Sequence, residues 1–185
     1  MSLVDRIKFV HLAYFSQPVA DRAIYRAIRR SQPTTIVEIG VGMGQRAVRA
    51  IALASKLRPG QRIAYTAVDL FEASPSGRPA LGLKKAHQLL SATGAKVQLV
   101  PGDPFSALAR MANTLTGTDL LIVSADQRGE SLDRAWFYVP RMLHDASVVM
   151  VEEPAAGNGG QTTFRELAKR DVVTRYVGDL RRRAA

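Results

Sequence analysis

Five short apolar runs, "TTIVEI", "RIAYTAV", "KVQLV", "DLLIVS" and "SVVMVEE", alternate along this chain with stretches whose apolar residues recur at helical spacing. Strands separated by helices can pair side by side only through crossovers, which makes them parallel, and a parallel sheet must be covered on both faces. The fold class that follows is α/β: a doubly wound, mostly parallel sheet with helices on both faces. Two helices lead it. One carries Leu3, Ile7, Val10 and Tyr14; the second runs from about Pro18 to Arg30 after the "SQP" break.

The intervening helices read as "QRAVRAIALASKL" stopped by "RPG", "PALGLKKAHQLLSATG" closed by Gly94, "FSALARMANTL", and "SLDRAWFYVPRML" as one helix despite Pro140. After the fifth strand, "TTFRELAKR" reads as a helix and "VVTRYV" as a strand, a shortened carboxyl end. A length of 185 residues suits one domain, 1–185, made of a helical cap (1–31), a ligand-binding core (34–153) and a terminal helix and strand (154–185). Open α/β sheets bind ligands beyond the carboxyl ends of their strands. The loops "GVGMG", "DLFEASPSGRP", "PGDPF", "SADQRGES" and "EPAAGNGGQ" should therefore line one crevice. The long loops at 72–82 and 153–161 read as its covers.

Cysteine is absent, which excludes disulfides, thiolate metal sites and a cysteine nucleophile and suits a reducing compartment. No stretch resembles a signal peptide or approaches the roughly 20 apolar residues of a membrane span. A cytoplasmic chain with no membrane partner is the expectation. The net charge of +10 is compatible with a nucleic-acid partner. No motif supports one: Arg22, Arg26, Arg29 and Arg30 form a helical stripe and "RRR" stands at 181–183, both without interleaved aromatics.

Gly40, Gly42 and Gly44 join the first strand to the next helix, where glycine lets backbone approach a ligand and free N–H groups favour an anionic group. The dinucleotide pattern G-x-G-x-x-G fails, because Gln45 stands where its last glycine belongs. What the residues match is E-x-G-x-G-x-G, Glu38 to Gly44, which resembles motif I of the class I S-adenosylmethionine-dependent methyltransferases. The resemblance runs in order through residues 34–153 and implies a Rossmann-like fold with S-adenosylmethionine as cofactor. It puts Asp69 on the ribose hydroxyls, Leu70 beside the adenine, Asp103 near the adenine amino group, and "DLLIVSADQ", with Ser124, at motif IV. The implied cofactor-binding set is Glu38, Gly40, Gly42, Gly44, Asp69, Leu70, Asp103 and Ser124. Structural roles stand beside these: Glu38 satisfying local donors, Asp69 bracing the strand-end turn, Asp103 capping the next helix.

For chemistry the resemblance is less complete. Related small-molecule O-methyltransferases end strand four in a metal-binding Asp, and others continue Asp-Gly-Asp-His; here the run is Ser124, Ala125, Asp126, Gln127. There is no Asn-Pro-Pro-Tyr run of the amino-methylating members. Asp126 is the candidate catalytic residue, as acceptor contact or general base, or else it belongs to the next helix's N-terminal turn. Glu152 and Glu153 lie across the crevice and with Asp126 could gather a hard cation; no metal is assigned. His11, His87 and His144 fall away from the crevice. The expected activity is methyl transfer to an unidentified acceptor, a small-molecule hydroxyl among the candidates. The alternatives are a non-catalytic S-adenosylmethionine-binding or sensing domain acting through a partner, and a basic RNA-binding methyltransferase-like module. Oligomeric state is open, a homodimer included.

Overall fold

A computed structural model of the 185-residue chain describes residue 7 and residues 9–74, 81–155 and 161–174. At its centre is a six-stranded sheet in the order β3-β2-β1-β4-β5-β6. The strands are β1 (Thr35–Ile39), β2 (Ala64–Asp69), β3 (Lys96–Pro101), β4 (Thr118–Val123), β5 (Leu143–Pro154) and β6 (Thr162–Leu167). The first five are parallel, and β6 runs antiparallel along the outer edge of β5. The chain winds outward from β1 to β3 and then returns to β4 on the other side, so the switch point lies between β1 and β4. Beyond that point the Gly40 N–H donates to the Val68 carbonyl and the Ser124 N–H to the Ile39 carbonyl, both at 2.9 Å. The glycine turn and the loop after β4 thus leave the sheet side by side.

Alternate residues of each strand go to opposite faces. Ile36, Tyr65, Ala67, Ile122 and Met150 pack under α1 (Asp21–Ser31), α2 (Gln45–Leu57) and α3 (Leu83–Ser91). Val37, Val68, Val100, Leu121 and Val149 pack under α4 (Pro104–Met111), α5 (Glu130–Ala135) and α6 (Val139–Met142). The sheet is therefore doubly wound, as its near-continuous apolar strands require.

Ahead of α1, residues 9–15 are helical and finish in a wide turn at His11–Phe15. The arginine stripe fastens this segment. The Arg22 Nε donates to the Ser16 carbonyl at 2.9 Å and Arg26 Nη1 to the Ala13 carbonyl at 3.0 Å, while Arg30 forks onto both Glu166 oxygens at 2.6 Å.

Three expectations change. The stretch 131–143 is two short helices, with Pro140 in the first turn of α6, where its missing N–H breaks no bond, and with Leu143 already in β5. "TTFRELAKR" opens with β6 rather than a helix, and residues 169–174 are helical, so Val172, Val173 and Thr174 are not strand. Most of both loops read as covers falls outside the described residues, as do the first residues of the leading helix and the arginines at 181–183. No helix among the described residues is long and apolar enough to cross a membrane.

Candidate functional site

The glycine turn has a different constraint at each glycine, although all three adopt positive φ, +85° at Gly40, +56° at Gly42 and +75° at Gly44. A Cβ at Gly40 would stand 2.7 Å from Asp126 Oδ1 and from Gln127 Cγ, and one at Gly44 2.9 Å from a Leu89 methyl. A Cβ at Gly42 would meet nothing within 4 Å. Gly40 and Gly44 therefore allow the turn to pack, while Gly42 leaves backbone open to a ligand. Asp69, buried at the end of β2, holds the turn in place: its Oδ2 accepts from the Val41 and Gly42 N–H groups at 2.6 and 3.0 Å, and its Oδ1 from the Leu70 N–H at 2.7 Å. Of about four acceptor positions on a carboxylate, three are engaged by backbone. The bracing role weighed for Asp69 is the one the geometry displays.

Behind the turn stands a residue the sequence reading passed over. Arg46, in the first turn of α2, donates from Nε to Glu38 Oε1 at 2.8 Å and from Nη2 to the Gly40 carbonyl at 2.9 Å, and Nη2 also reaches the Ser124 hydroxyl. Its Nη1 stands farther off, 3.7 Å from Asp21 and 4.0 Å from Glu152. Burial opposes its charge, but Glu38, Asp21 and Glu152 outweigh burial and hold the guanidinium more firmly protonated than usual. Glu38 is fully buried, and its second oxygen accepts from the Tyr65 hydroxyl at 2.7 Å. Burial, and then Glu38, push the Tyr65 hydroxyl well above its ordinary value, so it stays a donor. The available signal was the arginine's place: a cation in a helix's first turn opposes the helix dipole and calls for anions nearby.

A cavity of about 480 Å³ opens above the turn, within the range of small-molecule sites. Its walls include Gly40, Gly42, Gly44, Ser124 and Asp126 from the expected set, joined by Asp21, Arg46 and Glu152. Glu38, Asp69, Leu70 and Asp103 do not line it. Glu38 touches it only through Arg46. Asp103 is the N-cap of α4, its Oδ1 accepting from the Phe105 and Ser106 N–H groups at 3.1 and 3.2 Å and from the Ser131 hydroxyl. Burial works against its charge, yet hydrogen bonds from Ser106 and Ser131 prevail and hold the carboxyl at about 2.

Around the motif IV loop, the Ser124 hydroxyl donates to the Gly40 carbonyl at 2.7 Å, and the buried Gln127 donates to Asp126 Oδ2 at 3.2 Å. Glu152 accepts from the Ala125 N–H at 3.0 Å and from the Thr162 hydroxyl, and Glu153 pairs with Arg165 at 3.4 Å. With those partners, Asp126, Glu152 and Glu153 do not gather as a metal set, and among the described residues no three His, Asp or Glu do. His144 bonds Asp119 at 3.0 Å near the start of β4, away from the cavity. Asp21 is missing from the sequence reading although it opens α1. It is 3% exposed and lines the cavity; its backbone N–H donates to the Pro18 carbonyl at 3.2 Å, but its carboxylate makes no hydrogen bond among the described residues. Burial raises its carboxyl above the ordinary value, Arg46 works the other way, and Glu38 and Glu152 add to the rise. The cavity is thus acidic, three carboxylates facing one guanidinium, in a chain of net charge +10.

No protein-family model and no curated protein matches this chain. Solved structures do. A Staphylococcus aureus protein assigned as a caffeoyl-CoA O-methyltransferase aligns over 82% of this chain and 66% of its own length, with a TM-score of 0.54 and 16% identity. The Streptomyces achromogenes O-methyltransferase TomG, solved in complex with S-adenosylmethionine, aligns over 96% of this chain and 78% of its own, with a TM-score of 0.53 and 16% identity. A precorrin 8w decarboxylase from Methanobacterium thermoautotrophicum aligns over 76% and 65%, with a TM-score of 0.51 and 16% identity. The chain spans just under two-thirds of the first and the last of these proteins. At such identities the likeness speaks to architecture, and a decarboxylase among the neighbours makes the same point. The chain has the Rossmann-like fold of the class I S-adenosylmethionine-dependent methyltransferases.

Proposed function

We propose that this chain binds S-adenosylmethionine over the Gly40–Gly44 turn and transfers its methyl group to a small-molecule acceptor. The observation that carries the reading is the open backbone at Gly42 facing an acidic cavity at the switch point of the sheet. S-adenosylmethionine carries an ammonium and a sulfonium against one carboxylate, so its net charge complements these walls. When bound, it supplies an electrophilic methyl group. The chain's own part is to align the acceptor, exclude water, and receive a proton if the acceptor is a hydroxyl. Asp126, in the cavity wall and held by Gln127, is the group proposed for that proton. Gly40, pressed against Asp126 and Gln127, would fix the distance between cofactor and acceptor.

A non-catalytic cofactor-binding role is the second reading, favoured by one feature: the Ser124 hydroxyl, though in the cavity wall, and the Gln127 amide, outside it, are both engaged in internal hydrogen bonds. Calorimetric titration with S-adenosylmethionine, its demethylated product and a nicotinamide dinucleotide tests the binding. Micromolar affinity for the first two alone is expected; no affinity for either overturns both readings. Methyl release with a panel of amines and phenols then separates catalysis from binding.

A further inference from the structure

The acidic wall is not uniform in what it offers a ligand. Glu38 is sealed in by Arg46 and Tyr65, Glu152 is taken up by Ala125 and Thr162, and Asp126 is held by Gln127. Asp21 differs. Its carboxylate is almost wholly withdrawn from solvent, lines the cavity, and among the described residues has one ion-pair partner, Arg46 Nη1, at 3.7 Å, a distance too long for a hydrogen bond. Nη1 in turn makes only this contact and the 4.0 Å one to Glu152 among the described residues. A carboxylate removed from water without donors is costly to maintain and gains most from a cation that brings N–H groups of its own.

We infer that Asp21 receives the α-ammonium of the ligand's amino-acid end, a contact made from the leading helix rather than from the glycine motif. The inference rests on the reading of the cavity as an S-adenosylmethionine site. It follows from Arg46, which already occupies Glu38 and leaves that acid no face toward the cavity. An ammonium brings three donors to a group with unfilled acceptor positions, while a ligand lacking the amine leaves Asp21 as it stands. The charged groups around Asp21 are Arg46 and Arg49 from α2, Glu38 from β1 and Glu152 from β5, with Tyr25 one turn along α1. Burial, and then Asp21, push the Tyr25 hydroxyl up to about 12, so it keeps its proton through the neutral range.

The test is calorimetry on the full chain with two probes: S-adenosylhomocysteine, and the same molecule lacking only its α-amino group. The unsubstituted chain should prefer the first by at least tenfold. Asp21→Asn should remove that preference, weakening S-adenosylhomocysteine at least tenfold while leaving the deaminated probe within twofold, and Asp21→Glu should restore part of it. Affinity for S-adenosylhomocysteine should also fall as pH is lowered in the unsubstituted chain and stay flat in Asp21→Asn. Equal affinity of the unsubstituted chain for the two probes would overturn the assignment without any variant, as would equal weakening of both in Asp21→Asn. Binding of neither probe by the unsubstituted chain removes the cofactor reading and this inference with it.

Discussion

Arg46 is where charge, packing and ligand chemistry meet in one side chain. Its guanidinium neutralises a fully buried carboxylate, Glu38, and ties the Gly40 carbonyl to the Ser124 hydroxyl. Cutting it back to an apolar chain leaves Glu38 buried with only Tyr65 for a partner, and breaking a buried ion pair from one side costs about 3–5 kcal/mol. Arg46→Met should accordingly lose about 3 kcal/mol in urea unfolding, and adding Glu38→Gln should recover most of that loss, because the uncompensated charge is then gone. If the single variant unfolds within about 1 kcal/mol of the parent, the pair is not the electrostatic centre described here. Arg46→Lys tests the geometry separately, since a single ammonium nitrogen cannot reproduce the separate Nε and Nη2 contacts to Glu38 and the Gly40 carbonyl.

Among the elements, α4 offers the sharpest quantitative test. Its N-cap, Asp103, has a carboxyl held at about 2, below the ordinary 3.8. A carboxyl lowered on folding contributes stability that is present in full above the unfolded value and lost as pH falls from there through about 2. Asp103→Ala should cost about 1 kcal/mol at neutral pH. Asp103→Asn keeps a capping oxygen, so it should lie closer to the parent, and its gap to the parent should close between pH 4 and pH 2. A gap that persists at pH 2 would mean that charge at this cap is immaterial. The elements also divide by how plainly the sequence announced them. Helix α2 and the five parallel strands were legible because each repeats one period without interruption, period 3.6 or an apolar run. The carboxyl end was not, for a reason visible in β6: its buried residues Phe164 and Leu167 are three apart, a helical spacing, yet they enter opposite cores of the sheet. An edge strand covered on both faces imitates a helix, and only the bare edge of β5 decides the matter. Ser124 and the glycines were legible for their positions in the motifs, whereas Arg46 and Asp21 owe their importance to neighbours from distant parts of the chain.

At the scale of the whole molecule, the cavity belongs to no single element: α1 supplies Asp21, the β1–α2 turn supplies Gly42 and Arg46, and the β4 loop supplies Asp126. A ligand there must slow backbone exchange in all three places at once. Amide hydrogen exchange with saturating S-adenosylhomocysteine should show added protection at 18–24, 40–46 and 124–127, and none in α3. Protection confined to α3 and β3 would instead point to the separate cavity of about 580 Å³ beside Leu83, His87 and Leu99. The basic surface reads differently at this scale too. Arg22, Arg26 and Arg30 are internal fasteners for the leading segment and β6, so part of the +10 charge serves the fold.

The reach of Arg46 has a bearing on time as well as space. Its neighbours run from Asp21 to the Phe164 ring, whose centre lies 5.4 Å from the guanidinium carbon. A ribosome delivers residues in order, and amino-terminal parts begin to fold while the rest is still being made. The glycine turn at 40–44 is made well before Phe164, the β6 ring that closes over its arginine. The charge pair of Glu38 and Arg46 can close early, whereas the aromatic cover over the guanidinium is completed only once β6 has been made.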